Sequence, residues 1–180
     1  MIKILLLILA FHDCLISASS LSFQLEKKPE PTPAEADAYN GIEGAMEAAV
    51  ARYNRFVKLE VEKQLKVEYS PTVETARSNH DLGVIQFGPN SEYWTERQAL
   101  HEIAHTLGVG FRAFNERCEN KTWYNATSVL RQLSKDPQAE ITCGGQHFWP
   151  YGMNYEKEFS EENADIHCQI IQEMIYDGMK

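Results

Sequence analysis

The sequence predicts an α+β domain in which a small sheet packs on a long N-terminal helix and two later helices complete the core. Three observations carry that expectation. Between Ala34 and about Val57, Ile42, Met46, Ala49, Tyr53 and Phe56 recur at helical spacing with charged residues between them. Leu65, Val67 and Tyr69 alternate with Lys66 and Glu68, the period of a half-buried strand, and Val84–Phe87 reads as a second strand between turn residues. Leu100, Ile103, Ala104 and Leu107 then fall at i, i+3, i+4 and i+7, and a last helix from about Ser160 to Asp177 carries Ile166, Ile170, Met174 and Ile175.

Taken in order, the chain opens with Lys3, the apolar run Ile4–Ala10 and the small residues Ala18-Ser19-Ser20. That is the pattern of a secretory signal peptide over residues 1–20, and the run is too short to span a bilayer. Residues 21–33, which contain Glu26-Lys27-Lys28-Pro29-Glu30-Pro31-Thr32-Pro33, read as a charged, proline-rich linker without a core pattern. The domain is expected over residues 34–180. Pro71 stops the first strand, Asn79-His80-Asp81 is a turn, and Gly88-Pro89-Asn90 ends the second strand. Ser91 can cap the next helix and Gly108 suits its C-terminal end. After Gly108 a polar stretch, read as irregular, runs to about Gln146. The cluster Phe148-Trp149-Pro150-Tyr151 reads as core and turn packing.

Losing the leader removes one lysine and one aspartate, so the net charge stays at −9. An acidic surface disfavours nucleic acid and anionic membranes as partners. A secreted, extracellular monomer is expected. Of the four cysteines Cys14 leaves with the leader. The favoured bridge is Cys118–Cys143, with Cys143–Cys168 as the alternative, and Cys168 otherwise reads as a small buried hydrophobe. Asn120-Lys121-Thr122 and Asn125-Ala126-Thr127 are N-glycosylation acceptors, so Asn120 and Asn125 are expected to be glycosylated and exposed.

The chemistry concentrates in Ala99-Leu100-His101-Glu102-Ile103-Ala104-His105-Thr106-Leu107-Gly108. Histidines four apart on a helix lie about 40° apart around its axis, so both imidazoles leave one face and can hold one ion. Glu102 sits beside that face, placed to take a proton from water. H-E-x-x-H on a helix is the arrangement of two zinc ligands and a general base. A catalytic zinc needs a third protein ligand, and His147, Glu161 (with Asp165 one turn on) and His167 are the candidates. His80, in a turn, reads as solvated.

The run His101–Gly108 resembles the metzincin zinc peptidases, closest to the matrixin group, whose signature is H-E-x-x-H-x-x-G-x-x-H followed by a methionine turn. The place of the third histidine is held here by Phe111, which cannot bind zinc. His147-Phe148-Trp149-Pro150-Tyr151-Gly152-Met153-Asn154-Tyr155 looks like the missing portion, displaced by an insertion over residues 111–146. The resemblance implies a zincin fold with an active-site helix, a methionine turn at Met153 and a C-terminal helix. It implies Zn2+ held by His101, His105 and His147, Glu102 as general base, and Tyr155 stabilising an oxyanion as in astacins. The function implied is hydrolysis of a protein or peptide substrate. The competing expectation is a secreted binding module that keeps zinc for structure.

Overall fold

The computed structural model describes residues 20–179, so all but the last residue of the expected signal segment lies outside the described residues. One continuous cluster of buried side chains runs from Leu21 to Met179. The chain is α+β, as its periodicities predict. The principal sheet has four strands: β1 (Leu21–Glu26), β2 (Lys63–Tyr69), β3 (Ala76–Asn79) and β4 (Val84–Phe87), in the spatial order β1-β2-β4-β3. β1, β2 and β4 are parallel, and β3 runs antiparallel to β4 at the edge.

β1 corrects the linker expectation for residues 21–26. Leu21, Phe23 and Leu25 alternate with Ser22, Gln24 and Glu26, which is strand periodicity hidden by the charged, proline-rich run that follows. Leu21 is buried, and Phe23 and Leu25 pack against the core. Asn54 pins the start of this strand: it accepts from the Leu21 N–H and donates to the Leu21 carbonyl, both at 2.8 Å.

Helix α1 (Pro33–Phe56) is the crossover that parallel β1 and β2 require. Thr32 caps it, and Glu35 reaches back to the Thr32 N–H at 2.9 Å, forming a capping box with proline in the first turn. Ala38, Ile42, Met46, Ala49 and Tyr53 form its buried stripe. At the far end Arg52, itself buried, pairs with Glu96, Glu161 and Asp165 and so ties α1 to the starts of two other helices.

Helix α2 (Glu96–Thr106) begins at Thr95, whose hydroxyl accepts from the Gln98 N–H, and not at Ser91 as expected. Ser91–Tyr93 forms a separate 3-10 turn capped by Asn90, and the chain becomes extended again at Thr95 before α2 can start. The stretch read as irregular also holds structure. Helices α3 (Arg112–Asn120) and α4 (Tyr124–Ser134) bury Phe114, Ala126 and Leu130, a sparse apolar stripe that the surrounding polar residues conceal. Asp177 accepts from the Asn125 and Ala126 N–H groups, so one end of α5 (Glu161–Tyr176) caps the start of α4. A hairpin of β5 (Thr142–Gly144) and β6 (His147–Trp149) follows. Cys118 and Cys143 form a disulfide, and Cys168 is buried and free. Among the described residues no helix is long and apolar enough to cross a membrane.

Candidate metal centre

α2 presents His101 and His105 from one face, their ring centroids 4.7 Å apart and nearly perpendicular. The β5–β6 hairpin brings His147 onto them, stacked on His101 at 5.1 Å and edge-on to His105 at 5.3 Å. One nitrogen from each ring lies within 4.8 Å of the others, and these three form a group able to hold a metal ion.

The outer contacts fix which nitrogens face inward. His101 Nδ1 lies 3.0 Å from the Gly152 carbonyl and His105 Nδ1 lies 2.9 Å from the Val109 carbonyl. A carbonyl only accepts, so both Nδ1 atoms carry hydrogen and both Nε2 atoms present lone pairs. Those Nε2 atoms are 3.1 Å apart. Two lone pairs so close repel unless a proton or a cation lies between them. Burial above all, then the neighbouring His105, holds His101 down to about 3. Burial also lowers His147, again with His105 adding to it. His101 and His147 therefore resist protonation and can offer lone pairs to a cation. Two nitrogens about 2.05 Å from a tetrahedral zinc would be about 3.3 Å apart, close to the spacing found. The donor set fits zinc, although imidazoles also suit copper, iron and nickel.

Two glycines make the convergence possible. A Cβ on Gly110, where φ is +84°, would sit 2.7 Å from Gln146 Cβ and 2.8 Å from the Gln146 carbonyl oxygen. The hairpin can therefore lie directly against the end of α2 and deliver His147. A Cβ on Gly152 would meet the Phe148 carbonyl oxygen at 2.1 Å. The turn is folded onto β6 there, with Asn154 Nδ2 donating to the Phe148 carbonyl at 2.9 Å. This fold-back also aims the Gly152 carbonyl at His101. Met153 is fully buried with φ +59°.

Glu102 is 4 % exposed. Burial raises its pKa, opposed by His105 and by hydrogen bonds from Ser78 and Gln98. The other candidates go elsewhere. Glu161 and Asp165 pair with Arg52. His167 is fully buried with both nitrogens engaged, Nε2 with the Tyr53 hydroxyl at 2.8 Å and Nδ1 with the Tyr151 carbonyl at 2.7 Å, so it has no lone pair to offer. His80 lies against Phe111, ring centroids 4.4 Å apart and tilted by 30°. Tyr155 is 54 % exposed, its ring 5.6 Å from Lys157 Nζ, and among the described residues no hydrogen bond or ring contact joins it to the three histidines. Asn120 and Asn125 are both exposed, at the end of α3 and the start of α4.

Sequence reasoning missed Ser78, Arg97, Gln98, Gly110 and Gly152. Of the two glycines Gly152 carried a signal, since it directly precedes the buried methionine, whereas Gly110 lies five residues beyond His105. Compared with known proteins, the chain matches no family model, no curated protein and no solved structure.

Proposed function

We propose that this chain is a secreted zinc metalloendopeptidase of metzincin type. The observation that carries the reading is three imidazoles converging beside a buried carboxylate one residue from the first of them. A purely structural zinc site usually has four protein ligands and needs no base. Bound zinc would supply Lewis acidity and bring the pKa of coordinated water from 15.7 to about 7.

The chain's own residues do the rest. His101, His105 and His147 hold the ion, their orientation fixed for the first two by the Gly152 and Val109 carbonyls. Glu102 takes the proton of the attacking water and passes it to the leaving amine nitrogen. A carboxyl whose pKa is raised by burial suits both halves of that transfer, since it must first accept and then release. Tyr155 is the proposed hydroxyl donor to the oxyanion, and Met153 is the apolar floor of the site. The Cys118–Cys143 bridge supports an oxidising compartment.

The test is hydrolysis of an unfolded protein by the zinc-loaded chain. Hydrolysis should stop with a chelator and return with zinc. Glu102→Gln should bind zinc normally and hydrolyse nothing; full activity in that variant would overturn the mechanism. Zinc binding without any hydrolysis by the unaltered chain would move the assignment to a binding module.

A further inference from the structure

Glu102 does not stand alone in the core. One turn earlier on α2, Gln98 donates from Nε2 to Glu102 Oε1 at 2.8 Å. The oxygen and nitrogen ends of a glutamine amide are nearly the same shape, so this contact depends on which way the amide faces. Arg97 settles it. Its Nη2 lies 3.0 Å from Gln98 Oε1, and a guanidinium has donors and no acceptor. The Gln98 oxygen must therefore face Arg97, and its NH2 must face Glu102, which receives it as an acceptor.

Arg97 is itself 6 % exposed and held on two further sides. Nη1 donates to the Met153 carbonyl at 2.8 Å, and Nε pairs with Glu156 at 3.0 Å. Met153 directly follows Gly152, whose carbonyl orients His101. One guanidinium thus braces the turn that aims a metal ligand and, through one amide, the carboxylate beside it. Ser78, from the edge strand β3, closes on the same carboxylate.

We propose that Arg97 and Gln98 are positioning residues: Arg97 sets the orientation of Gln98, which holds the Glu102 carboxylate, and anchors the turn behind His101. The role assigned to Glu102 rests on the peptidase reading; the arrangement of Arg97 and Gln98 does not.

The experiment has an arm that is independent of catalysis. In the 15N-labelled, zinc-loaded protein, the Gln98 side-chain amide, assigned by triple-resonance spectra, should exchange slowly with solvent and do so faster in Arg97→Lys. In Gln98→Met, kcat for peptide hydrolysis should fall about 10–100-fold, the range for lost outer contacts, with KM and zinc affinity by chelator competition unchanged. Arg97→Lys should lower both kcat and zinc affinity. A Gln98 amide exchanging at the solvent rate in the folded wild type overturns the proposal, as does wild-type kcat in Gln98→Met. A protected amide that loosens in Arg97→Lys, in a zinc-loaded protein that cleaves nothing, supports the positioning arrangement and defeats the peptidase reading instead.

Discussion

Gly110 and Gln146 touch so closely that the glycine's missing side chain is what lets His147 reach α2. The two segments meet backbone to backbone, and the nearest atoms a Cβ would strike, the Gln146 Cβ and carbonyl oxygen, are not the far end of a flexible side chain. His147 is placed by this contact and by the β5–β6 pairing, in which Gly144 faces His147.

Gly110→Ala should therefore weaken zinc binding by about 10–100-fold and destabilise the fold by about 1–3 kcal/mol, from the positive φ and the clash together. Chelator competition and denaturant unfolding measure the two effects. Gly44→Ala is the control. Gly44 lies exposed in α1 with nothing near its Cβ position, so alanine there should stabilise by about 0.5–1 kcal/mol and leave zinc affinity unchanged. Equal effects of the two substitutions on zinc would contradict this account of Gly110.

The Cys118–Cys143 bridge closes a separation of 25 residues and fastens α3 to the strand that pairs with His147. Replacing both cysteines by serine should cost about 3 kcal/mol in loop-closure entropy and lower Tm by about 6–12 °C. It should also reduce zinc affinity, since β5 loses its covalent tether. Unchanged zinc affinity in the double variant would mean that the core packing of Phe148 alone holds the hairpin.

Tyr155→Phe should reduce kcat by about 100-fold, the effect of removing one oxyanion donor, with zinc content unaltered. Single-turnover hydrolysis of a peptide reads this directly. Wild-type kcat would remove Tyr155 from the mechanism.

His167 gives a pH prediction with a definite sign. Burial holds it down to about 4, below the ordinary histidine value of 6.5, so between those values the unfolded chain binds more protons than the folded one. Its contribution is complete above about pH 6.5 and is lost as pH falls toward 4. Between pH 7 and pH 5 it should cost the protein about 2 kcal/mol of stability. Urea unfolding of the metal-free protein checks this: His167→Gln should show a shallower loss over that interval than wild type. Parallel profiles would mean that His167 titrates alike in both states.

Much of the fold was legible because it rests on local periodicity. α1, α2, α5, β2 and β4 each repeat apolar residues at the spacing of their own geometry, and α5 starts just after Ser160, close to the expected boundary. β1 was hidden by its neighbours in sequence, since Leu21, Phe23 and Leu25 are followed at once by a charged, proline-rich run. α3 and α4 were hidden because each buries only one or two side chains. Arg97 and Gln98 gave no signal at all: a polar pair on a helix reads as solvent-facing until a turn from elsewhere covers it.

The sequence by itself determined the first two histidines and the carboxylate beside them, because the pitch of one helix puts His101 and His105 on one face and Glu102 next to it. The tertiary structure decided among His147, Glu161 and His167 as companion to that pair, by spending Glu161 on Arg52 and His167 on Tyr53 and Tyr151. Helical geometry is set within a few residues, whereas the meeting of a helix and a distant hairpin depends on which backbones can approach and which partners each side chain has already found.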